Sequence, residues 1–252
     1  MPPAVCRPCV LVSNDDGVNA PGLRALVSAL HEADCFDIVV LGPDRERSAQ
    51  SHAISMGKPL TCTPINVEGV LEAFAVDGTP ADSVMLALNS DVFKDKQIDL
   101  VVSGLNRGDN CGLHVIYSGT VGAAREATCK RVMAVAVSLD NHQARAVGDY
   151  QAAAVYTVAV LKAILGLLPG STDIRQQLVG CTVNVNVPGG SHASIKGLHL
   201  THQGTACVFP AFAEVYQQVA QVPVEDPPGS PSSAAQPILA QDPAAIKPGT
   251  TS

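Results

Sequence analysis

The chain has 252 residues, 46% of them hydrophobic, enough to bury a core as one large α/β domain or two small ones. Aromatics are scarce at 4% with no Trp, which suits a parallel sheet covered by helices and argues against a carbohydrate-binding groove. A formal net charge of -7 excludes a nucleic-acid duplex as a natural partner, because phosphate backbones are held by basic patches.

Residues 1–9 read as an N-terminal extension: Met1 to Pro8 carries no apolar stretch of the signal-peptide kind, and no later segment has the length and apolarity of a membrane span, so a cytoplasmic protein is expected. The eight cysteines are scattered, which predicts buried thiols and no disulfide framework; Cys6-Arg7-Pro8-Cys9 is one CxxC without a second pair. Val10-Leu11-Val12 predicts a first strand, and Asn14-Asp15-Asp16-Gly17 follows it directly. The next segment predicts a helix, with Asn19 as cap, Pro21 in the first turn, and Leu23, Leu26, Val27 and Leu30 on one face. Two ionised carboxylates held ~4 Å apart repel by roughly 4 kcal/mol at an effective dielectric near 20, so both stay charged only beside something positive. On these four residues alone, a plain turn and a cation site are both open.

Phe36 to Leu41 predicts a second strand, running into the polar loop Gly42 to Ser48, and strand-like stretches follow at 60–67 and 73–76. Thr79-Pro80-Ala81-Asp82 opens a helix to about Leu88 with a capping-box pattern. Asp99 to Ser103 predicts a core strand that empties into Gly104 to Asn110. Ser118-Gly119-Thr120 starts a helix over 121–130, Val132 to Ser138 predicts a further strand, and a long helix is expected over 149–168, with Tyr150, Ala153, Thr157 and Leu161 at helical spacing. Strands are expected at 181–187 and 195–201. From Val222 onward seven of the 18 prolines gather among Ser, Gly and Ala, which predicts disorder.

The pattern is that of an α/β fold, a Rossmann-like and mostly parallel sheet with helices on both faces. In such sheets ligands bind at the carboxyl ends of the strands. Three of those ends offer Asp15 and Asp16, then Ser48, then Asn106, all oxygen donors, a set that suits Mg²⁺, Mn²⁺ or Ca²⁺ and not a zinc site of thiolates and imidazoles. The first turn at Ser118, Gly119 and Thr120 reads either as an anion site for a substrate phosphate or as ordinary capping. Asn14 orients a carboxylate or phosphate, or simply shapes the turn. Arg45, Arg47 and Arg107 lie in the same loops as candidate phosphate partners, His52 is a candidate proton donor to a leaving oxygen, and Asp15 or Asp16 a candidate general base.

The runs VSNDDGVNAPGLRAL, GPDRERSAQSHAIS, DGTPADSVMLAL, SGLNRGDN with YSGTVGAAREA, and VNVNVP resemble, in order, the signature blocks of the SurE family of metal-dependent nucleotidases. The resemblance spans about Val10 to Gly204. It implies a phosphatase domain over 10–216 that hydrolyses nucleoside 5′- and 3′-monophosphates, and in some members short polyphosphate, with water activated by one divalent metal. It places the metal ligands on Asp15, Asp16, Ser48 and Asn106. It also implies homodimers or tetramers.

The likeness fades after Phe212, Glu214 and Tyr216, where relatives carry a β arm with an aromatic strand and a last core strand; here residues 217–252 form the Pro-rich tail. That departure puts the family's oligomers in question. It also raises a second reading, a truncated and inactive isoform that acts as a binding or regulatory partner.

Overall fold

The computed structural model describes residues 7–207. The elements in chain order are β1 (Cys9–Ser13), α1 (Pro21–Glu32), β2 (Asp37–Pro43), β3 (Cys62–Pro64), β4 (Glu72–Val76), α2 (Pro80–Asn89), β5 (Ile98–Arg107), α3 (Gly119–Cys129), β6 (Met133–Asp140), α4 (Gln151–Ile164) and β7 (Thr182–Pro188). All seven strands form one sheet in the order β3-β4-β2-β1-β5-β6-β7. Every pairing is parallel except that of β3 with β4. The expected fold class is therefore observed.

Alternation along the strands explains why both faces are covered. Val10 and Val12 of β1, Val40 of β2, Leu100 and Val102 of β5, and Val135 and Val137 of β6 join one core with Leu26 and Leu30 of α1 and Leu161 of α4. The intervening Leu11, Val39, Leu41, Val101, Ala134 and Ala136 join a second core with Val84 of α2 and Val121, Ala123, Ala124 and Ala127 of α3. Alanines on both sides of the α3 contact let that helix sit close to the sheet. β1 lies between β2 and β5, so the chain leaves it in both directions and the crevice at its carboxyl end is the topological switch point.

Several expectations need correction. Ala20, not Asn19, is the N-cap of α1, and it makes no side-chain cap bond. Pro21 already sets the first turn, and Asn19 Oδ1 instead accepts a hydrogen bond from Arg24 Nη2 at 2.8 Å. The strand expected over 60–67 is only three residues long. The helix expected over 149–168 is a 3₁₀ turn, Val147–Tyr150, followed by α4, which stops at Ile164 because Gly166 turns left-handed (φ 66°) and Leu165 bridges to Asp173. The segment 195–201 pairs with no strand among the described residues; Gly197 sits at φ 152°, and Leu198 and Leu200 are exposed. Seven described cysteines are free, but Cys111, Cys129 and Cys181 are exposed, so only Cys9 fits the buried-thiol expectation fully. No helix among the described residues is long and apolar enough to cross a membrane. The expectations about Met1 to Cys6, the segment through Tyr216 and the tail 217–252 lie outside the described residues, apart from positions 7–9.

Candidate active site at the carboxyl edge of the sheet

Asp15 is buried at the end of β1, with a relative exposure of 3%. Its Oδ1 accepts a hydrogen bond from Thr120 Oγ1 at 2.6 Å, in the first turn of α3. The contact needs Gly119, because a Cβ there would stand 2.9 Å from Asp15 Cβ and 3.0 Å from its Oδ2. Asp16 is half-buried, and its Oδ2 accepts the Arg107 backbone N–H at 3.1 Å. Burial and then the neighbouring Asp16 charge raise the Asp15 pKa to about 7, although hydrogen bonds from Thr120 oppose the rise. Burial also raises the Asp16 pKa, against the Arg107 N–H and guanidinium. Two adjacent carboxylates are thus held where bulk water cannot dissipate their repulsion.

Asn106 comes to this edge because β5 breaks its register after Ser103 and resumes pairing at Asn106 opposite Ser138. Its Nδ2 donates to Gly108 O at 2.8 Å, which turns Oδ1 the other way as an acceptor. Ser48 lies exposed in the loop after β2, where its hydroxyl donates to Glu46 Oε1 at 3.0 Å. The same Glu46 oxygen receives Arg107 Nη2 at 3.4 Å. Glu46 therefore ties the Ser48 loop to the residue whose backbone holds Asp16. Ser13, at the end of β1, and its register partner Ser103 inside β5 add two buried hydroxyls that lack a partner among the described residues.

Not every candidate faces a substrate. Asn14 is fully buried and closes its own turn, accepting from Gly17 N at 3.2 Å and donating to Gly17 O at 2.9 Å. Ser118 caps α3 by accepting from Val121 N at 3.0 Å, and the Thr120 hydroxyl is taken by Asp15. Arg47 anchors its loop, with N–H to Asp15 O at 2.6 Å and Nη2 to Asp77 O at 2.9 Å, and Arg45 pairs with Asp44. His52 uses both ring nitrogens on α3, Nε2 with Glu126 and Nδ1 with Arg125, so it is not placed as a proton donor at this edge.

Beside Asp16 opens a cleft of about 210 Å³ lined by Arg107, Glu46, Arg145, Tyr150, Ala144, Ala20 and Pro21. Burial and the Asp16 charge push the Tyr150 phenol up to about 12. Sequence reasoning missed Glu46, Arg145 and Tyr150 as site residues. Tyr150 fits the helix-face pattern, and the loop after β6 carries no glycine-rich signal of the kind that marks the loops after β1 and β5.

The donor chemistry fits a hard divalent ion. Among the described residues no group of three His, Cys, Asp or Glu side chains is arranged to hold a metal ion, so a cation at this edge would need neutral oxygens such as those of Asn106 and Ser48 beside the two carboxylates. The charge those carboxylates concentrate in a buried place is what a cation would offset.

The profile described as Survival protein SurE matches residues 10–209. A protein of Natranaerobius thermophilus named 5′-nucleotidase SurE is 39% identical over 198 residues, covering 77% of this chain and 72% of the relative. One of the same name from Anaeromyxobacter dehalogenans is 43% identical over 195 residues, covering 77% and 68%. The crystal structure of the SurE protein from Aquifex aeolicus superposes with a TM-score of 0.64 at 32% identity, covering 78% of this chain and 73% of that one. With a family match over residues 10–209, relatives about 40% identical over three quarters of its length and a shared fold, the chain belongs to the SurE family.

Proposed function

We propose that this chain is a metal-dependent phosphomonoesterase that releases phosphate from nucleoside 5′- and 3′-monophosphates. The observation that carries this reading is the adjacent carboxylate pair at the switch point, Asp15 buried and Asp16 half-buried, with Arg107, the neighbour of Asn106, donating its N–H to Asp16 and Arg47, the neighbour of Ser48, donating its N–H to Asp15 O. Its relatives' name, 5′-nucleotidase, supports the nucleotide as substrate.

Those four residues would hold one Mg²⁺ or Mn²⁺. When bound, the ion offsets the carboxylate charge, draws electron density from a phosphoryl oxygen and makes water a better nucleophile at neutral pH. Asp15 is enclosed and fixed by Thr120, so its part is to hold charge. Asp16 borders the open cleft and is the carboxylate placed to accept a proton from attacking water. Arg107 meets the substrate phosphate: it lines the cleft beside Asp16, and its guanidinium is held by a 3.4 Å pair with the exposed Glu46. The backbone N–H of Gly119, at the first position of α3, adds a further donor.

The test is phosphate release from AMP and GMP with Mg²⁺ or Mn²⁺, with and without EDTA, in wild type and Asp15→Asn. Turnover should require the metal and fall by about 100-fold or more in the variant, the loss of a group that stabilises the transition state directly. Folded wild-type protein without metal-dependent turnover would favour the regulatory-isoform reading, and an active Asp15→Asn would overturn the ligand set.

A further inference from the structure

The loop carrying Ser48 is held in a conformation it would not choose alone. Ala49 and Ser51, on either side of Gln50, both lie in the left-handed region, at φ 58° and 54°, where a side chain crowds the backbone. Such a loop persists only if contacts beyond it over-determine its path. Those contacts are made to α3 and the residues that lead into it. Ser51 N–H donates to Tyr117 O at 2.9 Å and Ser51 Oγ to Ile116 O at 2.7 Å. Ser51 O packs where a Cβ on Gly122 would be, with only 2.1 Å between them. One residue on, His52 reaches Glu126.

The His52 contact is a relay with a defined proton position. Arg125 Nη2 lies 3.2 Å from His52 Nδ1, and since a guanidinium can only donate, Nδ1 is the acceptor. The ring proton then sits on Nε2, which donates to Glu126 Oε2 at 2.9 Å. Glu126 is buried, at 6% exposure, on the helix whose first turn grips Asp15 through Thr120. Helix α3 therefore touches both halves of the donor set, Asp15 at its start and the Ser48 loop one and two turns later.

We propose that Arg125, His52 and Glu126 are positioning residues that lock the Ser48 loop to α3 and so set the distance between Ser48 and the Asp15 and Asp16 pair. None of the three touches the cleft. The inference rests on the reading of Ser48 as a cation ligand, and its consequence is that ion affinity depends on a contact remote from the ion.

The experiment measures Mn²⁺ affinity by calorimetry and amide hydrogen exchange without metal, on wild type, His52→Ala, His52→Gln, Ser48→Ala and the His52→Ala/Ser48→Ala double variant. Removing a supporting contact behind a ligand commonly weakens metal binding by about 10- to 100-fold. His52→Ala should weaken Mn²⁺ by about tenfold or more and speed exchange of the Arg47 and Ser51 amides, with the β1 and β5 amides unchanged. His52→Gln, which keeps an N–H donor for Glu126, should recover most of both effects. The double variant should bind Mn²⁺ no more weakly than Ser48→Ala alone. A folded His52→Ala with wild-type Mn²⁺ affinity, or with Arg47 and Ser51 amides as protected as before, overturns the proposal, as does additive loss in the double variant. If wild-type protein takes up no Mn²⁺, the cation reading of Ser48 falls instead, and the exchange arm still decides whether the relay holds the loop.

Discussion

Asp15 is the residue at which stability and chemistry pull in opposite directions. Its carboxylate is buried beside a second one, and burial first, then the Asp16 charge, raises its pKa to about 7. Asp15→Asn keeps the shape and an acceptor oxygen for Thr120 while removing that charge. In chelator at pH 7 the variant should be more stable than wild type by about 1–3 kcal/mol in urea denaturation, even as metal-dependent turnover is lost. Equal or lower stability would refute the account of Asp15 as a costly buried charge. Gly119→Ala acts from the other side: its methyl would drive into Asp15 and Pro80, so it should cost about 1–3 kcal/mol in the same measurement. Asp15 and Asp16 stood out in the sequence only once the ends of three strands were taken together and the SurE-like blocks were found in order; the glycine turn after β1 by itself left a plain turn equally open. Glu46, Arg145 and Tyr150 were not, since single polar residues in a loop or on a helix face carry no spacing that marks them.

At the scale of elements, the start of α2 shows a local signal that tertiary structure then put to further use. The Thr79 and Asp82 capping box forms as expected, with Asp82 N–H to Thr79 Oγ1 at 3.0 Å and Thr79 N–H to Asp82 Oδ2 at 2.9 Å. Asp82 Oδ1 also accepts Ser55 N–H at 2.9 Å, so the cap holds the far end of the loop that carries Ser48. Burial alone would raise the Asp82 pKa, but the N–H groups of Thr79 and Ser55 outweigh it and hold the carboxyl below its usual 3.8. A lowered folded-state pKa means the stabilisation is present above the unfolded value and is lost as pH falls through the folded one. Asp82→Ala should therefore cost about 1–2 kcal/mol at pH 7, and the gap to wild type in urea midpoints should shrink below about pH 4. A gap that stays constant down to pH 2 would refute the charged cap. Periodicity misled at two other elements. The apolar pattern runs past Gly166, but the helix cannot, and the alternation over 195–201 finds no neighbouring strand edge among the described residues.

At the scale of the whole sheet, β1 and β5 are buried on both faces, and the two cores depend on different helices. Leu161 of α4 is fully buried in the core shared with α1, away from the carboxylates. Leu161→Ala should lower the unfolding free energy by about 2–5 kcal/mol, since the rigid surroundings leave a cavity. Turnover per folded molecule should stay near wild type at low temperature, measured alongside the denaturation curve. A large loss of turnover in folded Leu161→Ala would mean that the two cores are not separable in this way. The pair of cores also explains why α3, packed through alanines, can act as a rigid reference for the site.

Sequence alone determined the alternation of strands and helices, the position of the acids after β1, the capping box of α2, the start of α3, and the resemblance that led to the family. These are local or short-range facts, written in periodicity and turn chemistry. Tertiary structure alone decided that Glu46 joins Ser48 to Arg107, that His52 is bound to α3, and that Tyr150 and Arg145 border the cleft. Those contacts join residues from different loops, and their partners are set by the order in which the strands lie side by side, a property that no single stretch of the chain carries.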